Sequence, residues 1–480
     1  MKEKKYDLIV IGSGSGGLGI AMGMLEFGFK VLLIDKTSEK IGGECLNTGC
    51  VPSKSFINAS KTIHQAQKAQ EFGLEVNGKI SLPKIMEYVR QRQKVIRQHE
   101  NADYLRKKGL HIILGTAKFI SRSSIEINEK NYRAKNIVIA TGSSPRKINI
   151  KGADLISCYT NEDVFQLASL PANFIFLGAG PVSIELGQAF SRLGSRVTII
   201  DRSSSILKKE DPFISNALQK KLEQENIDFL LNAEIEEILS SSEAVIKTSG
   251  GEKKEIPADA VFMGLGRELD FDDLNLEAAG IETDGNKIKL NRKLQTTNKN
   301  VFVSGDAAGN MKFSHAAEMH NMLLLNNFLS PVKKKLDFSH FSWVTFTDPE
   351  VATFGWSEEQ LKEKEIPYER LENDFRESDR AVTANFQDGK ILLFIEKKKF
   401  NSASAKVLGG SILAPGAGEI FQELVLANSA GITIKQLMDK IYPYPTAANM
   451  HKIVVRNRIL KDLKPWMKKI ARGFYKFGKR

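Results

Sequence analysis

A chain of 480 residues is too long for one hydrophobic core and points to roughly three domains. Its 42% hydrophobic and 26% charged residues exclude a disordered polymer, and three cysteines exclude an extracellular disulfide framework. The net charge of +12 is concentrated: His451 to Arg480 holds eleven Lys or Arg against Asp462 alone, +10, so the other 450 residues carry +2 and give no case for nucleic-acid binding.

Residues 6–11 (YDLIVI) predict a strand that runs into Gly12-Ser-Gly14-Ser-Gly16-Gly17, then a helix to about Phe27 and a second strand, VLLID, at 31–35. Strand, glycine turn, helix, strand and acid is the order that seats a dinucleotide pyrophosphate on a helix N-terminus. Gly12 makes the tight turn, Gly14 lets phosphates approach, and Gly17 lets the helix lie close to the strand. Asp35 can accept hydrogen bonds from a ribose.

Within ten residues of Asp35 comes GGECLNTGCVPSK, Gly42 to Lys54. On a regular helix Cys45 and Cys50 would point about 140° apart, so their sulfurs meet only if an irregular turn separates them. Gly49 allows such a turn, and Pro52 suits the first turn of a following helix, whose N-terminus would favour a thiolate. Spacing alone serves a redox pair and two packed thiols equally.

Residues 55–110 predict long surface helices, with Ile85, Val89, Val95, Tyr104 and Leu105 at helical spacing. Short strands follow at 111–115, 124–127 and 136–142, the last running into Thr141-Gly142. At 173 the first pattern repeats: NFIFLG, then Gly178-Ala-Gly180-Pro-Val-Ser183, a helix to about Leu193, and RVTIID ending on Asp201. Gly12 to Asp35 and Gly178 to Asp201 both span 23 residues, which suggests two dinucleotide sites; the alternative is one site and one decayed copy. Two dinucleotides and a close cysteine pair suggest a relay from a nicotinamide through a flavin to a disulfide.

These segments together resemble the pyridine nucleotide–disulfide oxidoreductases, the group of dihydrolipoamide dehydrogenase, glutathione reductase and mercuric reductase. The resemblance covers about Lys5 to Lys452 and rests on GGECLNTGCVPSK, VFVSGDAAG (301–309) and FTDPEVATFGWSE (346–358). It implies an α/β fold with two Rossmann-like dinucleotide-binding domains, for FAD and NAD(P), and a C-terminal α+β dimerisation domain. The implied segments are 1–150 and 266–336 for FAD, 151–265 for NAD(P), 337–460 for dimerisation and 461–480 as a basic tail. FAD would lie near Gly12, Gly14, Gly17, Asp35, Gly43, Lys54, Gly115, Thr141, Gly142 and Asp306, and NADH or NADPH near Gly178, Gly180, Asp201 and Gly266. Cys50 would be the thiolate beside the flavin and Cys45 the exposed sulfur that exchanges with substrate. Lys54 and Glu185 would form an ion pair. No metal site is implied. Asp201 favours NADH, because a carboxylate repels a 2′-phosphate, although Arg202, Lys208 and Lys209 could hold one.

One departure from the family matters. Dithiol-using members carry a His-Pro near the C-terminus and a Glu five residues after the His; here Tyr444 and Asn449 stand in those places. An ordinary Tyr titrates near 10 and Asn does not titrate, so neither moves protons readily at neutral pH. A tyrosine there resembles mercuric reductase, but the C-terminal cysteine pair and an N-terminal CxxC domain are missing. Cys158 is too isolated to substitute, and His451 reads as a helix-surface histidine. The expected function is a mercuric-reductase-like flavoenzyme whose acceptor is a metal ion or small molecule. The alternatives are a dihydrolipoamide dehydrogenase-type activity or a membrane-associated flavin sensor with little turnover. A homodimer is implied, with Tyr444 of one subunit completing the site around Cys45 of the other. The tail 461–480 mixes cations with aromatic rings and suits an anionic membrane surface; Pro465 would break any single helix crossing it. With no signal peptide and no apolar run near ~20 residues, a cytoplasmic protein is expected, peripheral to the inner face of the membrane at most.

Overall fold

The computed structural model describes residues 4–399 and 401–477. Packing divides the chain into two units. The first joins the chain up to Gly178 with Arg192–Arg196 and Glu234–Leu336; the second joins Ala179–Ser191 and Val197–Ala233 with the chain from Asp337 onward.

In the first unit, β1 (Lys4–Ile11) pairs in parallel with β2 (Val31–Asp35), Leu8 opposite Val31 and Ile11 opposite Ile34. Its other edge pairs in parallel with Lys130–Ile139. Strands 111–114, 31–35, 4–11, 130–139, 124–127 and 118–119 lie in that order, and Val301–Val303 joins beside 137–139. The unbroken apolar runs of β1 and β2 follow from this placement. Leu8, Val10, Val31 and Leu33 face one core with Ile20, Ala21 and Met24 of α1 (Ser15–Glu26), while Ile9, Ile11, Leu32 and Ile34 face a second core. A parallel strand covered on both sides needs apolar residues at every position.

The helix Ser314–Leu329 packs closely on α1 across small residues. A Cβ added at Gly23 would come within 2.7 Å of Leu325 Cδ1, and one at Gly19 within 2.3 Å of Asn321 Nδ2. After α2 (Gly43–Asn47), the helices predicted over 55–110 are α3 (Cys50–Lys68), α4 (Leu82–Arg97) and a short helix at Ala102–Lys107. Ile85, Val89 and Leu105 are buried as their spacing predicts. Val95 is exposed, because six residues beyond Val89 a helix has turned it to the far side.

In the second unit, 197–201 pairs in parallel with Ile227–Leu231, Val197 opposite Ile227 and Asp201 opposite Leu231. A separate antiparallel sheet runs 342–345, 350–355, 407–414, 390–396, 368–374. Ala352, Phe354, Ile391, Leu393 and Ile412 of that sheet pack against Phe421, Leu424, Leu437 and Val454 of the following helices, an α+β layer as expected. Polar ties hold the segment 179–233 to this sheet. Arg370 clasps Asp211 with both terminal nitrogens, at 2.6 and 2.8 Å, and Gln188 exchanges two hydrogen bonds with the Asp348 backbone.

Candidate active site

The irregular turn that the cysteines require lies between α2 and α3. α2 ends at Asn47, and the amides of Thr48 and Gly49 both donate to the Glu44 carbonyl, at 2.8 and 2.6 Å, before α3 begins at Cys50. A Cβ at Gly49 would sit 3.0 Å from that carbonyl oxygen, so glycine lets the turn close. Cys50 therefore opens a 19-residue helix, where the unpaired N–H groups and the macrodipole favour negative charge. Both cysteines are thiols in this structure. The hydrogen bond with Cys50, burial and Cys50's charge push the Cys45 thiol well above its ordinary range, with Ser314 opposing only in part. Cys50, at the helix start that favours negative charge, has its Sγ 3.4 Å from Ser314 Oγ. In this structure Cys50 is exposed and Cys45 half-buried, with Ser314 hydrogen-bonded at the pair.

The glycines around this turn form a cradle that a dinucleotide fits. Gly12 has φ +106°, and a Cβ there would lie 2.2 Å from Ala140 O, beside Thr141. At Gly17 it would lie 1.8 Å from Gly12 O, and at Gly43, φ +63°, 2.4 Å from the Gly14 Cα. Gly16 would meet the Gly305 amide at 2.9 Å. Four segments (12–17, 42–43, 140–143 and 304–306) thus meet backbone to backbone, leaving main-chain amides at the start of α1 for phosphates. Asp35 Oδ2 accepts from the Ser13 amide at 2.8 Å, and the Asp35 carbonyl takes the Gly115 amide at 2.8 Å. Gly142, φ +77°, has open space around it.

Beside the cradle is a polar hub that the sequence did not single out. Arg267 donates to both carboxylate oxygens of Glu44, to Ser143 Oγ at 2.6 Å and to the Ser143 carbonyl at 2.5 Å. Ser143 Oγ donates in turn to Asp306 at 2.6 Å, and Asn161 donates to Glu44 at 2.7 Å. Burial still raises the Glu44 carboxyl, with Arg267 opposing. Glu44 stands next to Cys45 and Arg267 next to Gly266, so adjacency to motif residues was the one available signal.

The second glycine turn repeats the first acid contact. Asp201 Oδ2 accepts from the Ala179 amide at 2.7 Å, as Asp35 does from Ser13. Gly178, φ +91°, would place a Cβ 2.6 Å from Gly264 O, whereas Gly180 has nothing within 4 Å. Gly266, φ +90°, is also open, and its carbonyl accepts from the Arg146 amide at 3.0 Å. Ser183, in the third-glycine position, is fully buried. Arg202, Lys208 and Lys209 are exposed.

Lys54 lies one helical turn after Cys50 on α3, half-buried. Glu185 is buried in the helix Pro181–Arg192 and accepts from the Phe346 amide at 2.8 Å. Tyr444 is 78% exposed and donates to Asp379 at 3.1 Å, a hydrogen bond that pushes its phenol above the ordinary tyrosine value. Asn449 opens the helix Asn449–Leu460. His451 corrects the sequence reading: it is fully buried, 3.7 Å from Glu423, on a helix whose neighbours Met450, Ile453 and Val454 enter the core beside Leu437. Burial alone would raise Glu423, but the neighbouring His451 ring and hydrogen bonds from Lys440 and Tyr442 hold it down at about 2. Cys158 is half-buried, 3.9 Å from the Ala153 carbonyl, and burial raises its thiol.

Comparison with known proteins gives the same reading. The model of the pyridine nucleotide-disulphide oxidoreductase family matches residues 6–320, and that of its dimerisation domain matches 341–454. The chain is 32% identical over 455 residues to a mercuric reductase of Lysinibacillus sphaericus, covering 93% of this chain and 82% of the relative. It is 28% identical over 470 residues to a dihydrolipoyl dehydrogenase of Mycoplasma pneumoniae, covering 96% and 100%. Among solved structures, the HOCl-induced flavoprotein disulfide reductase RclA from Escherichia coli shares the fold, with TM-score 0.82 at 22% identity over 94% of this chain and 99% of that one. The first glycine cradle and the cysteine pair at a helix N-terminus agree with this match, and the chain belongs to the pyridine nucleotide–disulfide oxidoreductases, FAD-containing enzymes that use NADH or NADPH.

Proposed function

We propose that this enzyme oxidises NADH and delivers the electrons through the Cys45–Cys50 pair to a thiophilic metal ion or another acceptor that needs no proton relay. FAD, when bound, supplies the two-electron link between nicotinamide and disulfide. Gly12, Gly14, Gly17, Asp35, Gly43, Gly115, Thr141, Gly142 and Asp306 would hold it. A hydride and a proton reduce the disulfide to two thiols. A divalent ion held by both sulfurs takes the two electrons, the disulfide re-forms, and two protons leave. Cys50 carries the charge at the start of α3, Cys45 is the sulfur that hands on to the acceptor, and Lys54 lies one turn along from Cys50 on α3. Glu185 supports the nicotinamide side.

The observation that carries this reading is Tyr444. Its phenol stands where a proton-transferring histidine would be, hydrogen-bonded to Asp379 and shifted further from neutral titration. Soft thiolates bind soft metal ions without such a group. The mercuric reductase relatives, and the Cu(II) complex of the E. coli reductase RclA, support a metal ion among the acceptors. We favour NADH because Asp201 would repel a 2′-phosphate. A homodimer fits the dimerisation domain, with Tyr444 of one subunit beside Cys45 of the other. A cytoplasmic setting fits, with 461–480 contacting a membrane face.

The test is steady-state NADH oxidation across mercuric and cupric ions, quinones, lipoamide and glutathione disulfide. Metal or quinone turnover well above lipoamide turnover is expected. Lipoamide turnover that matched the others would restore the dihydrolipoamide dehydrogenase reading, and no acceptor-dependent turnover at all would favour a sensor. Two-electron reduction should raise long-wavelength absorbance in the wild type and not in Cys50→Ser.

A further inference from the structure

The helix Pro465–Phe477 buries no residue among those described. Trp466 is 59% exposed, Ile470 51%, Phe474 76% and Phe477 77%, an unusual cost for large apolar groups clustered in water. At about 100° per residue, Trp466, Phe477, Ile470, Phe474, Met467 and Ala471 fall in one arc of about 140°. Tyr475 marks its edge, and Lys468, Arg472, Lys476 and Lys469 occupy the opposite side. Pro465 starts the helix, so it is separate from Asn449–Leu460. The helix itself holds four cations and no acid, and the nearest acid, Asp462, is engaged by Arg458 at 2.7 Å.

We infer that this helix is a docking surface for an anionic lipid bilayer, lying in the plane of the interface. Its apolar arc needs a hydrocarbon phase, and its cations need negative charge immediately beside that phase; an anionic bilayer offers both. Nucleic acid would leave the arc uncovered. A second copy of the helix would bring its own four cations against these four. Thirteen residues extend about 20 Å, short of a bilayer core, and no helix among the described residues is long and apolar enough to cross a membrane. The helix therefore lies on the membrane. This goes beyond the redox reading and does not depend on it.

The full-length FAD-bound protein is sedimented with vesicles of phosphatidylcholine alone or of equimolar phosphatidylcholine and phosphatidylglycerol, while tryptophan emission is followed. Binding to the anionic vesicles only, lost in high salt and accompanied by a blue shift, is expected. Lys468→Glu with Arg472→Glu should weaken it more than ~25-fold, taking roughly fivefold per cation. Trp466→Ser with Phe474→Ser should abolish it. These side chains are exposed, so the variants should keep their flavin spectrum and their NADH oxidation with a soluble acceptor. Equal binding to both vesicle types, no binding, or binding unchanged in the variants would overturn the inference. So would a change of oligomeric state in the variants, seen by light scattering, since a second copy would then cover the arc. Loss of turnover with vesicle binding intact would count only against the redox reading.

Discussion

The two glycine turns share a pattern, a 23-residue span and an acid contact, yet they differ in how much of the chain depends on them. The first is a junction. Gly12, Gly16, Gly17 and Gly43 each bring backbone within about 3 Å of where a Cβ would stand, and the segments they meet include the cysteine turn and the 304–306 motif. At the second, Gly178 makes the one close approach among the two glycines, Gly180 stands open, and a buried serine takes the third place. A repeated motif thus carries a structural load in one copy and mainly a binding task in the other. The first turn should be intolerant of change and the second forgiving.

Moving the second turn's serine into the first gives the largest contrast. Gly17→Ser would place a Cβ 1.8 Å from Gly12 O, and should cost at least ~3 kcal/mol and leave a colourless protein, read from Tm and flavin absorbance. A stable yellow variant would end the comparison. Arg267→Ala should come next, at about 1–2 kcal/mol with weaker flavin retention, because it strips Glu44 of its cation while both are only partly buried. Denaturant unfolding with and without added FAD measures it.

The first turn also has a pH liability. His320 is fully buried, its Nδ1 accepts from the Gly305 amide at 3.1 Å, and burial lowers its pKa to about 4. Between about 6.5 and 4 the unfolded chain binds the proton that the folded one refuses, so stability should fall as pH drops through that window. Acidification should therefore release flavin and destabilise the fold in that range, and His320→Gln should flatten that part of the pH profile. The smallest effect is expected at Ser183→Ala. It removes a buried hydroxyl that has no hydrogen bond among the described residues, so stability should change by less than ~1 kcal/mol, upward if at all. NADH KM should stay within about twofold.

Both turns, both acids and the cysteine pair were legible because each is a local pattern: strand period, glycine spacing and an acid at a strand end. The break between α2 and α3 was legible too, from the geometry of five-residue spacing. The hub was not. Glu44 and Arg267 are 223 positions apart, and neither changes any local periodicity. His451 was misread for the same reason. Its own helix gives no sign that Glu423, twenty-eight positions earlier, waits on the buried side. The Ser314 hydroxyl beside Cys50 likewise comes from a distant helix.

Glu44 works on the cysteine turn from two directions. Its carbonyl ties down the amides of Thr48 and Gly49, and its carboxylate is anchored by Arg267 and Asn161. The loop between the sulfurs is therefore a stiff bracket with little freedom left to lose. The two cysteines thus stand at the ends of a segment whose backbone and one of whose side chains are already held in place.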